Sequence, residues 1–96
     1  MKEKVIAIFD VGKTNKKLLL FDYRLNLVME QETRVAEIVD DDGFECDDIE
    51  KVEKWIRESI LKLVHSEKYE LTAINFATYG ATIVYLDAQG KRIGPV

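Results

Sequence analysis

The stretch VIAIFDVGKTNKKLLLFD, residues 5–22, decides how this chain folds. It contains two apolar runs, residues 5–9 and 17–22, on either side of a polar turn. The nearly unbroken apolarity of each run predicts a strand that is buried on both faces. Because the turn that joins them is short, the two strands are predicted to pair in antiparallel fashion.

Residues 27–36 are predicted to extend this pair into a three-stranded meander. Polar and apolar side chains alternate along them, after a turn at residues 23–26, and this predicts a half-exposed third strand. Residues 40–50 are rich in acids and are predicted to form a solvated loop. A calcium-binding loop is excluded there, because Ile38 and Ile49 would occupy its first and last ligand positions.

A helix is predicted next, because apolar side chains recur three or four positions apart. These side chains are Ile49, Val52, Ile56, Ile60 and Leu63. Asp47 followed by Glu50 resembles a capping box, so the helix is predicted to begin there.

More strands are predicted beyond the helix. Residues 73–78 form the fourth strand, and residues 81–86 and 91–93 form a β-hairpin. A right-handed helical crossover places the fourth strand parallel to one of the first three. The predicted fold class is therefore α/β, with a mixed sheet and one helix, in a single unit of residues 1–96. The second face of that sheet has no helix to cover it, which predicts an incomplete domain.

Composition excludes several classes of function. The 96 residues carry 14 basic and 18 acidic side chains, with a net charge of −4. This balance argues against a protein that binds nucleic acid through the phosphate backbone. No apolar run approaches the ~20 residues that span a bilayer, and the apolar run after the charged start is too short for a secretory signal. We therefore expect no membrane contact. The single cysteine, Cys46, favours the reducing cytoplasm.

The turn between the first two strands holds the residues best suited to chemistry. Gly12 allows the backbone to approach a phosphate closely. Hydrogen-bond donors and positive charge follow at Lys13, Thr14, Asn15, Lys16 and Lys17. Asp10 could hold Mg²⁺ directly or through water. An ordinary polar hairpin turn stays open as an alternative. A P-loop is excluded, because Ala7 stands where its first glycine is required and a strand follows the turn.

A second candidate segment, Thr78, Tyr79 and Gly80, ends the fourth strand. Ligands of open α/β sheets gather beyond the carboxyl ends of parallel strands. We therefore expect this segment and residues 10–12 to line one crevice. The alternative for Tyr79 is an aromatic side chain that covers the core. His65 and Cys46 lack partners at metal-ligand or catalytic spacing and are predicted to be structural.

The opening strand–Asp10–x–Gly12–turn–strand and the segment FATYGATIVYLDAQG, residues 76–90, together resemble the FGGY carbohydrate kinases. The rhamnulokinase branch of that family is similar in more detail. There a strand ends in Thr-aromatic-Gly and leads into an apolar strand, Leu-Asp and a glycine turn. Gly43 and Phe44 also lie where that branch has a Gly-aromatic pair. The resemblance covers essentially the whole chain.

This resemblance implies an actin-like ATPase fold, in which two RNase H-like lobes hold ATP and a sugar in the cleft between them. The chain would correspond to the first half of the N-terminal lobe, with the remainder of that lobe and the whole C-terminal lobe absent. No catalytic residue would then be present, because the general base is expected in the missing C-terminal part. The chain alone is therefore expected to be inactive.

The same resemblance implies the site residues. The phosphates of ATP would be bound by Asp10, Gly12, Lys13, Thr14, Asn15, Lys16 and Lys17. Asp10 would also face Mg²⁺, and Thr78, Tyr79 and Gly80 would face the sugar. This sequence departs from the family at Lys13 and Lys16, where small residues are common. It also departs at Thr82, where the rhamnulokinase branch often has an acid.

The activity implied by the resemblance is transfer of the γ-phosphate of ATP to a hydroxyl group of a sugar, such as a rhamnulose-like ketose. ATP and Mg²⁺ are the expected cofactors. One alternative is another phosphotransferase or ATPase of the actin-like fold. The other is a non-catalytic binding module that self-associates through the uncovered sheet face.

Overall fold

A four-stranded mixed sheet forms the centre of the protein. The computed structural model describes residues 1–80 and 83–95. Its elements in chain order are β1 (Glu3–Val11), β2 (Asn15–Phe21), β3 (Leu27–Arg34), β4 (Ile38–Val39), β5 (Glu45–Cys46), α1 (Ile49–Val64), β6 (Tyr69–Thr78), β7 (Tyr85–Leu86) and β8 (Arg92–Ile93). The sheet has the strand order β3-β2-β1-β6, while β4 with β5 and β7 with β8 form two small pairs.

Strand pairing follows the predicted topology. β1 pairs with β2, and β2 with β3, in antiparallel fashion, which confirms the meander. β6 pairs with β1 in parallel, because α1 carries the chain back to the end of the sheet where β1 starts. The predicted α/β class with a mixed sheet and one helical crossover is confirmed.

The core lies between one face of the sheet and α1. Alternate residues of β1 and β2 point to this face because side chains in a strand have a period of two. The buried apolar cluster consists of Val5, Ala7, Phe9, Leu18, Leu20 and Leu63. Trp55, Ile56 and Ile60 of the helix pack against it, so the apolar stripe read from the sequence is the face that α1 buries.

Phe9 is the central side chain of this core. Its ring meets Trp55 edge to face, with 5.5 Å between the centroids, and stacks on Phe76 of β6 at 5.3 Å. One fully buried side chain of β1 therefore contacts both the crossover helix and the neighbouring parallel strand. Phe76 keeps 49% of its surface exposed, because β6 lies at the edge of the sheet.

The other face of the sheet carries Ile6, Ile8 and Leu19, which are half-buried. α1 is the one helix among residues 1–80 and 83–95, and its partners lie on the face that carries Phe9. Within the described residues, the predicted uncovered face is therefore present. No helix in this part of the chain has the length and apolarity needed to cross a membrane.

The start of the helix differs from the prediction. Asp48 is the N-cap, and its Oδ1 accepts a hydrogen bond from the backbone N–H of Lys51 at 3.2 Å. The prediction that Asp47 begins the helix was wrong. Two adjacent aspartates suit a cap equally well by residue type, and the sequence does not show that Asp47 has other partners. At the other end His65 is the C-cap, and its backbone N–H donates to the carbonyl oxygen of Leu61.

The fourth predicted strand, β6, begins at Tyr69 and not at residue 73. Short strands account for the other differences. The predicted acidic loop at residues 40–50 contains β5, which pairs with β4 just before the loop. In the turn between them the Asp40 carboxylate accepts hydrogen bonds from the backbone N–H groups of Asp42 and Phe44. Strands of two residues are too short to show a periodic pattern. β7 and β8 confirm a hairpin across residues 87–90. Ala81 and Thr82, which belong to the predicted strand at 81–86, lie outside the described residues.

We expect Phe9→Ala to lower the free energy of unfolding by about 3–5 kcal/mol, because the truncation opens a cavity between the sheet and the helix. Urea unfolding followed by circular dichroism and by the fluorescence of Trp55 would measure this. Phe44→Ala removes the same atoms from a side chain that is 69% exposed, so it serves as the control and should change stability by less than about 1 kcal/mol. Equal losses in the two variants would contradict the central position of Phe9.

Candidate functional site

The candidate site lies where β1 and β6 end side by side. Their parallel register pairs Val11 with Thr78, so the residues after each strand emerge at the same edge of the sheet. The turn after β1 begins at Gly12, and Tyr79 follows β6 directly. The predicted adjacency of residues 10–12 and 78–80 therefore follows from the parallel pairing of β1 and β6.

The turn after β1 is a tight hairpin that requires glycine at its start. The backbone N–H of Gly12 donates to the carbonyl oxygen of Asn15 at 3.0 Å. A Cβ atom on Gly12 would lie 2.6 Å from that same oxygen. Glycine is thus needed here because two backbone segments approach closely. Lys13 and Thr14 form the exposed tip of the turn.

Lys16 supports the turn from the core side. Its side chain is on the same face as Leu18 and is only 2% exposed. The ammonium donates to the backbone carbonyl oxygen of Lys13 at 3.0 Å. The positive charge of Lys16 is therefore directed at the backbone of the turn tip.

Asp47 connects the two segments of the site. This carboxylate is 5% exposed and lies just before the helix cap. Its Oδ1 is 3.1 Å from the Lys13 ammonium, and its Oδ2 accepts a hydrogen bond from the Tyr79 hydroxyl at 2.5 Å. The Lys13 ammonium also lies 5.5 Å from the centroid of the Tyr79 ring. We call Lys13, Asp47 and Tyr79 the site triad.

The triad keeps both of its charges. Burial alone would raise the pKa of the Asp47 carboxyl, but hydrogen bonds from Tyr79 and Lys13 and the charge of Lys13 outweigh burial and hold that pKa below its ordinary value. The hydrogen bond to Asp47 is the main cause that raises the pKa of Lys13. The pair is therefore an ammonium and a carboxylate throughout the neutral range.

Asp10 and Lys17 lie on the other face of the sheet from Lys16. They are paired across β1 and β2, and the Lys17 ammonium is 3.5 Å from a carboxylate oxygen of Glu30. Asp10 is exposed at the end of β1. The structure therefore divides the predicted phosphate residues between the two faces, with the turn tip between them.

An open cleft of about 380 Å³ adjoins the turn tip. It is lined by Lys13, Thr14, Arg34, Val35, Ala36 and Glu37. Arg34 and Lys13 supply two cationic groups to the cleft, while Glu37 supplies an anionic one. The volume is at the lower end of the range for small-molecule clefts.

The described residues could hold a metal ion only if a bound ligand supplied further coordinating oxygens. Among residues 1–80 and 83–95, no group of three or more His, Cys, Asp or Glu side chains is placed to hold a metal ion. Mg²⁺ typically binds through one or two carboxylates and the phosphates of a substrate. Asp10, a single exposed carboxylate beside the turn, fits that mode of binding.

Sequence reasoning missed Asp47, Arg34 and Glu37. Asp47 stands among several acids and was interpreted as part of the helix start, although it is the most buried carboxylate of the described residues. Nothing in the spacing of Lys13, Asp47 and Tyr79 along the chain indicates that they meet. The buried position of Cys46 matches its predicted structural role, and burial raises the pKa of its thiol.

Comparison with known proteins agrees with this architecture. No protein-family model matches the chain. Rhamnulokinases of Yersinia pestis and Yersinia pseudotuberculosis are 34% identical to it over 94 residues, which cover 94% of this chain and 19% of each relative. The chain thus spans about a fifth of the length of the curated relatives it matches.

Three solved structures share the fold. A gluconate kinase and a ligand-bound xylulose kinase, both from Lactobacillus acidophilus, superpose with TM-scores of 0.79 and 0.78 at 20% and 21% identity. They match 98% and 96% of this chain, which covers 19% of each. A Plasmodium falciparum glycerol kinase with ADP gives a TM-score of 0.72 at 18% identity, over 98% of this chain and 20% of that one.

The predicted resemblance to the FGGY carbohydrate kinases, and to rhamnulokinases among them, is confirmed by these relatives. The expected fold is confirmed as well, because a gluconate kinase and a xylulose kinase share it over 98% and 96% of this chain. The roles of individual site residues stay predictions.

We expect Gly12→Ala to destabilise the protein by about 1–3 kcal/mol, because the new methyl group meets a backbone oxygen that cannot move away freely. Gly80→Ala is the matched control, since a Cβ atom there meets nothing within 4 Å. Thermal unfolding of both variants would test this. A loss for Gly80→Ala as large as that for Gly12→Ala would contradict the close approach in the turn.

The triad predicts a dependence of stability on pH. Because the pKa of Asp47 is lowered in the folded state, its contribution is complete above the ordinary carboxyl pKa and is lost as the pH falls through the lowered value. The difference in unfolding free energy between the wild type and Asp47→Asn should therefore be constant between about pH 5 and 8 and shrink below about pH 4. Urea unfolding at several pH values measures it. If the difference stays unchanged down to about pH 2.5, the charge of Asp47 contributes nothing to the free energy of unfolding.

Proposed function

We propose that this chain forms the first part of the N-terminal lobe of an ATP-dependent carbohydrate kinase, and that residues 1–96 act as one unit. The observation that carries the proposal is the meeting of two segments at one sheet edge, the turn after β1 and the residues after β6. The similarity to rhamnulokinases over 94% of the chain supports the same assignment.

The turn after β1 is proposed to bind the phosphates of ATP. Lys13 is half-exposed at the turn tip, so its ammonium is accessible to an anion. Thr14 and Asn15 can donate hydrogen bonds beside it. Lys16 adds positive charge on the core face of the sheet, and Lys17 adds it on the opposite face. In phosphoryl transfer the protein stabilises the negative charge of the phosphate, and cationic groups at a fixed turn serve this purpose.

Asp10 is proposed to hold Mg²⁺ together with the phosphates. When bound, the ion would neutralise part of the charge on the transferring phosphate. Gly12 would allow the backbone to lie close to that phosphate.

The residues after β6 are proposed to form one side of the sugar site. Thr78 and Gly80 are exposed at the strand end, and the hydroxyl of Tyr79 is fixed by Asp47, so the ring has a defined position. A ketose such as a rhamnulose-like sugar is the substrate we propose. The enzyme would act in the cytoplasm, where Cys46, the single cysteine of these 96 residues, stays reduced.

A second candidate is a non-catalytic module that self-associates. The specific observation in its favour is the sheet face that carries the half-buried Ile6 and Ile8, which no helix of the described residues covers. Sedimentation velocity separates the candidates, since a defined dimer at micromolar concentration favours the module and a monomer disfavours it. A phosphotransferase or ATPase of the same fold with another acceptor would be separated by a panel of sugars and carboxylates.

The first prediction of the proposed function is local binding of nucleotide. In an amide ¹H–¹⁵N correlation spectrum, ATP with Mg²⁺ should shift residues 10–17 and few others. Lys13→Met should weaken binding by about five- to tenfold, because it removes one charged hydrogen bond to phosphate. Lys62→Met, an exposed lysine in the last turn of α1, is the control and should leave the affinity unchanged. Shifts that avoid residues 10–17 would contradict the assignment.

The second prediction is the absence of turnover by this chain alone. The general base and much of the nucleotide site are proposed to lie outside residues 1–96, since the chain covers 19% of its relatives. A coupled assay for ADP release with a panel of ketoses should give the background rate. Sugar-dependent ADP release from the pure chain would show that these residues contain a complete catalytic site.

A further inference from the structure

We infer that Asp47 is an affinity-determining residue of the phosphate turn, because its carboxylate competes with the anionic ligand for the ammonium of Lys13. The inference rests on the proposed function, since it assumes that Lys13 contacts a phosphate. It adds a residue that lies outside both predicted binding segments.

The geometry makes Asp47 a fixed competitor. Its Oδ1 occupies one hydrogen-bonding position of the Lys13 ammonium at 3.1 Å. Its Oδ2 accepts a hydrogen bond from the Tyr79 hydroxyl at 2.5 Å, which holds the carboxylate beside Lys13. The side chain is 5% exposed, whereas that of Lys13 is 52% exposed. An anion can therefore reach Lys13 from solvent, but it meets an ammonium that is already paired.

The charges near the turn tip point to the same conclusion. Lys16 directs its ammonium at the Lys13 carbonyl, and Lys17 lies near Glu30, so each of the three lysines already has an acceptor or a counter-ion. Glu37 adds negative charge at the adjoining cleft. A phosphate bound at Lys13 would stand close to the Asp47 carboxylate, and like charges at this separation repel each other.

This arrangement has a functional consequence. The Asp47–Lys13 contact lowers the affinity for phosphate, and it keeps Lys13 in a defined position while the site is empty. Binding of an anion would weaken the hold of Lys13 on Asp47. The Asp47 contact with Tyr79 would transmit that change to the segment proposed to face the sugar.

The experiment measures the affinity of this chain for tripolyphosphate without metal, by NMR titration at low ionic strength. Asp47→Asn should tighten binding by about three- to tenfold, because it releases the Lys13 ammonium from its counter-ion and leaves the full charge available to a multivalent anion. If Asp47 only maintained the fold, its replacement would weaken the binding of tripolyphosphate. Asp48→Asn is the matched control, since it changes net charge equally and keeps a good helix cap.

Tyr79→Phe provides a second control. It removes the other hydrogen bond of Asp47 but leaves the competing charge, so it should not tighten binding. In the double variant with Lys13→Met, Asp47→Asn should lose most of its effect, because the contested ammonium is absent. Equal affinities of the wild type, Asp47→Asn and Asp48→Asn would overturn the inference and leave the proposed function intact. Absence of binding in every protein would overturn both.

A measurement on the wild type keeps the inference testable if Asp47→Asn does not fold. Bound tripolyphosphate should shift the ring signals of Tyr79 and the side-chain carbonyl signal of Asp47 as well as the turn. Shifts at Lys13 and Thr14 with none at Asp47 or Tyr79 would show that the anion does not compete with the carboxylate.

Discussion

The parallel pairing of β1 with β6 is the constraint on which the rest of the structure depends. Neighbouring parallel strands need a long crossover, and α1 supplies it. Phe9 fixes this arrangement, because its ring contacts Trp55 on the crossover and Phe76 on the second strand. The same pairing brings the ends of the two strands to one edge of the sheet. The position of the candidate site is therefore a consequence of the core.

The large elements could be predicted because each buries a periodic set of apolar side chains. The runs in β1 and β2 and the stripe on α1 are long enough to show their period, and the topology followed from the short turns and the single helix. The pair β4–β5 has two residues per strand and shows no such pattern, whereas the hairpin of β7 and β8 could be found from the turn at residues 87–90. Their turns depend on aspartate side chains that accept backbone hydrogen bonds, as Asp40 and Asp87 do.

The site was only partly predictable, for a different reason. The turn residues and Tyr79 could be found because they follow buried strands. Asp47 could not, since its role depends on contacts with residues 34 and 32 positions away in the chain. An aspartate before a helix is favoured as a cap by residue type alone. The structure gives that role to Asp48 and leaves Asp47 for contacts across the sheet edge.

The burial of Asp47 constrains which side chains can surround it. A buried carboxylate without partners would be strongly destabilising, so Asp47 requires donors at both oxygens. Lys13 and Tyr79 supply them, and both belong to the segments proposed to bind ligands. Replacing Lys13 by a small residue would leave Oδ1 of Asp47 without its ammonium partner. Lys13 and Asp47 therefore depend on each other in this structure, because the loss of either charge leaves the other without its counter-ion.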